Sequence, residues 1–203
     1  MPELALFLVA SFALTIAPGP DNMQVLARGI SQGRAAGVTA ALGFAAGCLF
    51  HTTLAAVGLA AALRSSAVAF QLIKLGGGVY LIWIGLQALR SRGSFSLAGS
   101  APARKWAIFR QSVLGNMMNP KVTLFFLVFL PQFVNRDAGR PEWQMMLLGL
   151  VFMLQTVVIF GAIGLGAGLV GGWLQRRPRA GLWLNRLAGA TFVGLGVRAA
   201  LPD

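Results

Sequence analysis

Acidic residues are scarce in this 203-residue chain: 5 Asp and Glu stand against 17 Lys and Arg, for a formal net charge of +12. Charge of either sign is thin as well, at 11% of residues against 57% hydrophobic. A soluble domain is about a quarter charged, so an ordinary wettable surface is excluded. Cysteine occurs once (Cys48) and histidine once (His51). One cysteine excludes a disulfide within the chain, and a zinc site with its usual three or four protein ligands cannot be assembled. A Ser or Cys nucleophile would have only His51 as its base. Cys48 stands three residues before it, about one helical turn, and a small packing thiol beside a polar helix residue accounts for the pair. The start, Met1-Pro2-Glu3, has an acid where a signal peptide has Lys or Arg, so no cleavable leader is expected.

What the chain does have is long uncharged runs. Residues 4–20, 35–63 and 143–175 contain no Asp, Glu, Lys or Arg. Runs of roughly 18 or more apolar residues are candidate membrane spans. Basic excess alone would suggest a nucleic-acid partner, but here the bases sit between the apolar runs, and no nucleic acid is expected. With charges and turn residues as punctuation, six helices are expected over about 4–28, 35–63, 67–89, 111–134, 143–175 and 180–201. Arg64-Ser65-Ser66 separates the second from the third, and the Ser-, Gly- and Arg-rich segment 90–110 reads as a surface loop between two halves, 1–89 and 111–203. The whole of 1–203 forms one transmembrane domain. Eleven basic residues, from Arg28 to Arg186, fall on the side of loops 1–2, 3–4 and 5–6, and four (Arg64, Arg136, Arg140 and Arg198) on the other. The positive-inside rule then puts those three loops in the cytoplasm and both termini outside.

The expected class is an all-α integral membrane protein whose six spans form a 3+3 inverted repeat. An odd number of spans per half inverts the second half relative to the first. The stretches Lys74-Leu75-Gly76-Gly77-Gly78-Val79-Tyr80 and Arg186-Leu187-Ala188-Gly189-Ala190-Thr191-Phe192 share one pattern: basic, Leu, small, Gly, small, variable, aromatic. Small residues at this spacing also serve close helix packing. The same applies to the GxxxG spacings Gly43–Gly47, Gly164–Gly168 and Gly168–Gly172, which read as internal packing and leave a homodimer open.

Two spans are interrupted. Helix 1 contains Ala17-Pro18-Gly19-Pro20-Asp21-Asn22, and helix 4 contains Asn116-Met117-Met118-Asn119-Pro120-Lys121. Proline removes a backbone donor and blocks the preceding turn, so both spans should break. In hydrocarbon, freed backbone groups are tolerated only where protein or a water-filled cavity satisfies them. Pro20 is eight residues from Arg28, and Pro120 is ten from Arg110. At 1.5 Å per residue both lie roughly 12–15 Å deep, near mid-bilayer. Pro20 nevertheless falls much later in its expected helix than Pro120 does, a departure from a clean inverted pair. Asp21 is the one acid within a span, and Lys121 is the matching deep cation. An Asp at a helix centre costs about 2.5–3.5 kcal/mol on insertion scales, so intramembrane charges mark ion or substrate paths. The competing reading is structural: Asp21 caps the restarting helix with Lys121 as partner, and Asn22 and Asn119 cap freed backbone. His51, Thr52 and Thr53 on helix 2, and Gln155 and Thr156 on helix 5, are candidates to line a cavity or to bond between helices.

The order PGPDN in helix 1, HTTLAAVGL ending helix 2, KLGGGVYLIWIGLQALR in helix 3 and GNMMNPKVTLFFLVFLPQF in helix 4 resembles the lysine-exporter (LysE) superfamily, RhtB branch. The motifs run from Ala17 to Phe133, and the likeness continues more loosely through the six-span layout. The resemblance implies a bacterial inner-membrane exporter of amino acids or close derivatives such as homoserine, threonine, leucine or lysine, with protons as coupling ion and no cofactor. Thiol-redox relatives in the same broad superfamily need paired intramembrane cysteines, which a lone Cys48 does not supply. The site expected is Pro18, Gly19, Pro20, Asp21 and Asn22 facing Asn119, Pro120 and Lys121. Alternatives are an exporter of metal or organic cations, for which one Asp without a Met or His cluster is thin equipment, and a membrane scaffold without transport.

Overall fold

The computed structural model describes residues 4–59, 67–90, 101–135 and 138–200. The turn Arg64-Ser65-Ser66, residues 91–100 of the expected loop 90–110, and Arg136, Asp137 and both chain ends lie outside the described residues. Among those described, the chain is helical throughout, without strands. The helices are α1 (Leu4–Ile16), α2 (Pro20–Gln32), α3 (Arg34–Leu54), α4 (Ala67–Arg90), α5 (Lys105–Met117), α6 (Pro120–Leu124), α7 (Pro141–Leu165), α8 (Ala167–Arg176) and α9 (Pro178–Ala200). A widened π turn over Ala55–Leu59 extends α3. Another over Phe125–Phe129, followed by the 3-10 turn Leu130–Phe133, extends α6.

Both expected breaks are present. α1 and α2 meet at 56° across residues 17–19, and α5 meets the helix that continues from Pro120 at 47°. Each proline stands at the first position of the restarting helix, where its missing N–H is no loss. On length and apolarity, Arg34–Gly58 and Pro141–Leu165 each suffice to cross a bilayer, as does each bent pair, giving up to four spans among the described residues. α4 and α9, of 24 and 23 residues, coincide in extent with the third and sixth expected helices.

Three boundaries differ from expectation. The fourth helix begins at Lys105, inside the segment read as loop, because Lys and Arg are good helix formers and can snorkel. The first bent pair runs on past Arg28 to Gln32. Each break is therefore central, with 13 residues before it in both pairs and Pro20 and Pro120 at matching positions, so the mismatch expected between them does not exist. The run 143–175 is not one helix: it breaks at Gly166, where the backbone leaves α7 with φ −90° and ψ 12°.

The interior is partly polar and the exterior apolar, the reverse of a soluble domain. Asp21, Asn116, Asn119 and His51 are buried, while Val9 is 68% exposed and Val158 70%. All five tryptophans lie at the surface. Glycine lets the helices approach closely. α3 and α7 cross antiparallel, with Gly37 against Gly164 and Thr52 against Gly149. α4 and α9 do the same, with Gly85 against Gly189 and Gly78 against Gly196. A Cβ on Gly85 would stand 2.8 Å from the Gly189 carbonyl oxygen. Gly43 and Gly47 are filled by α5, through Phe109, Ser112 and Asn116, and are used within the chain. Two apolar clusters result: a phenylalanine-rich one around Phe7, Phe125, Phe129 and Phe152, and a smaller one around Val25, Ala40, Phe44 and Phe160.

Candidate functional site

The two breaks meet between those clusters. A void of about 10 Å³ is lined by Asp21, Asn116, Lys121, Thr156 and the C-terminal end of α1, with Phe152 from one cluster and Phe160 from the other. That is room for about one water and too little for an amino acid.

The charges are held crosswise. Asp21, in the first turn of α2 and 3% exposed, accepts from Asn119 Nδ2 at 2.7 Å and, at 3.5 Å, from Asn116 Nδ2; both asparagines belong to the other break. Lys121, in the first turn of α6, donates through Nζ to the Leu14 and Ala17 carbonyls at 3.1 Å each, the end of α1. Each buried charge is thus satisfied mainly by the opposite break rather than by direct pairing of the two. Asn22 donates to the Thr15 carbonyl at 2.8 Å, so three carbonyls freed by the first break have donors. Asn119 also caps α6, its Oδ1 accepting from the Lys121 backbone N–H at 3.0 Å. Gly19, extended at φ −166°, lies against the ammonium: a Cβ there would be 3.2 Å from Nζ.

Of the expected site, Asp21, Asn22, Asn119 and Lys121 come together. Pro18 and Gly19 form the linker, and Pro20 and Pro120 are exposed at the helix starts. Asn116 was missed. It sits three residues before Asn119 in the quoted motif, and that spacing on one helical turn was the available signal. His51 lies behind it, Nε2 at 3.0 Å from the Asn116 carbonyl oxygen, its ring 5.6 Å from that of Phe126. Thr52 bonds the Cys48 carbonyl within α3 and packs on Gly149, while Thr53 is exposed and bonds Leu49. Gln155 accepts from Ser11 at 3.0 Å, joining α7 to α1, and Thr156 reaches the void. Several buried polar atoms have no partner within the chain: Asn22 Oδ1, His51 Nδ1, Asn116 Oδ1 and Ser112 Oγ. Of these, Asn116 lines the void, and Asn22 borders the neighbouring apolar crevice. Among the described residues no group of three His, Cys, Asp or Glu could hold a metal.

Nearer the basic end, Arg28 is buried, donating to the Ala101 carbonyl at 2.7 Å and to Gln111 at 2.9 Å, while Gln32 accepts from the Ala103 N–H at 2.8 Å. This clasp ties α2 to the segment leading into α5.

The family model described as LysE type translocator matches residues 12–202. An uncharacterized membrane protein of Vibrio cholerae is 32% identical, over 96% of this chain and 94% of that protein. The homoserine/homoserine lactone efflux protein of Salmonella typhimurium is 27% identical over 96% and 94%. The leucine efflux protein of Klebsiella pneumoniae is 29% identical over 96% and 92%. No solved structure matches the chain.

Proposed function

The chain belongs to the LysE type translocator family, and on that premise we propose that it exports an amino acid or close derivative across the bacterial inner membrane, driven by proton influx. The observation that carries this reading is the crosswise bonding of the breaks. A zwitterion presents an ammonium and a carboxylate together, and each can take over one set of those bonds. The ammonium replaces Asn119 and Asn116 at Asp21. The carboxylate replaces the Leu14 and Ala17 carbonyls at Lys121 and meets backbone N–H groups at the start of α6, where the helix dipole is positive. The bent pairs must part to admit it, and the occupied and empty sites keep every buried charge bonded. Protonating Asp21 from outside removes the carboxylate's charge, weakens ammonium binding and releases cargo outward, so each turnover carries a proton in.

Six spans in a 3+3 inverted repeat belong to the same reading. The support is the matching position of the two breaks and the antiparallel glycine crossings. Gly37 and Gly149 are 112 residues apart and Gly78 and Gly189 are 111, close to the 112 between Lys74 and Arg186. Eleven bases on one side put Arg28 and its clasp at the cytoplasmic face.

The test is overexpression against a panel of toxic amino-acid analogues, followed by radiolabelled efflux of the matching natural amino acid. Resistance to at least one analogue with faster efflux is expected. No resistance to any analogue, together with unchanged efflux, contradicts an amino-acid exporter and favours the scaffold or cation alternatives.

A further inference from the structure

A second feature lies away from the breaks, where α8 turns into α9. A surface cavity of about 790 Å³ is bordered by Trp173, Arg176, Arg177, Arg179, Trp183 and Leu184. Among the described residues the acids are Asp21, buried at the breaks, and Glu142, in the first turn of α7. Neither lines this cavity, so its three arginines have no acid partner among the lining residues and form a basic, anion-attracting rim. Leu184 also borders a second cavity of about 420 Å³. This crevice runs between α7 and α8 to Pro18 and Asn22 at the first break, and eleven of its twelve lining residues are apolar. Its volume falls within the range of about 300–1,000 Å³ usual for ligand pockets.

We propose that the two cavities together bind one anionic membrane phospholipid, its phosphate among Arg176, Arg177 and Arg179 and one acyl chain in the crevice. Basic pockets between membrane helices bind lipid headgroups, and tryptophan rings settle at headgroup level. A zwitterionic cargo molecule would lose hydration in the crevice with only Asn22 to bond, whereas a hydrocarbon chain loses nothing there. Free phosphate would leave the crevice and the two tryptophans unused. The lipid chain ends against Pro18 and Asn22, so a bound lipid braces the break beside Asp21.

Full-length protein, delipidated in detergent, is titrated with phosphatidylglycerol and phosphatidylcholine of equal chain length and read by native mass spectrometry. One phosphatidylglycerol should bind at least tenfold more tightly than phosphatidylcholine. Each arginine removed in R176Q, R177Q and R179Q should weaken it about fivefold, the effect of roughly 1 kcal/mol per basic residue near an anionic surface. Ala162→Phe, which fills the crevice, should weaken binding of dioleoyl but not of dihexanoyl phosphatidylglycerol. Equal affinity for the two lipids, or arginine variants that bind as wild type does, overturns the proposal. So does inorganic phosphate binding as tightly as the lipid, or an amino acid displacing the lipid competitively. These readouts need no transport, so they stand or fall apart from the export reading.

Discussion

A methyl group on Gly19 would stand 3.2 Å from the Lys121 ammonium, closer than the neighbour can accept without shifting. Gly19→Ala should push that ammonium from the Leu14 and Ala17 carbonyls and slow efflux several-fold in loaded vesicles, with little change in expression. Lys121→Met goes further and leaves two buried carbonyls without donors, at about 1–3 kcal/mol for each group left unsatisfied. It should lower the thermal midpoint in detergent by several degrees as well as stop transport. Asn116→Ala removes the weaker donor to Asp21 at 3.5 Å and should cut efflux while leaving stability near wild type. Asp21 and Lys121 were legible in the sequence because deep charges are few. Their actual partners were not, since an amide or a carbonyl from a segment about a hundred residues away carries no local signal. Asn116 had one local signal, its three-residue spacing from Asn119, but its bond to Asp21 comes from the opposite break and has none.

At the level of helices, proline announces a break and glycine often does not. Pro20 and Pro120 make both bends legible from sequence, because the missing donor is a property of the residue. The break at Gly166 was invisible inside an uncharged, Gly-rich run, and the start of α5 at Lys105 was hidden by basic residues that read as loop. The glycine crossings give the element-scale prediction. Gly85→Leu would force a side chain into the Gly189 carbonyl and the Val193 backbone. Overpacking of this kind costs about 1–3 kcal/mol. The thermal midpoint should fall, whereas Gly194→Leu, with nothing within 4 Å of its would-be Cβ, should leave it unchanged.

For the molecule as a whole, the proposed export makes the charge imbalance a map of sides and the buried Asp21 the working point. If loops rich in Arg face the cytoplasm, an introduced cysteine at exposed Ala138 should react with a membrane-impermeant maleimide in intact cells. One at Ala101 should react only after permeabilisation; the opposite pattern would invert the topology. The central claim is that Asp21 joins cargo to the proton gradient, and it is tested most directly by efflux from vesicles loaded with a radiolabelled cargo amino acid while the outer pH is lowered. Wild type should accelerate as the outside is acidified. Asp21→Asn, which keeps the shape but cannot exchange a proton, should lose that acceleration, with gradient-driven efflux falling at least tenfold. Undiminished pH-driven efflux in Asp21→Asn would contradict the account.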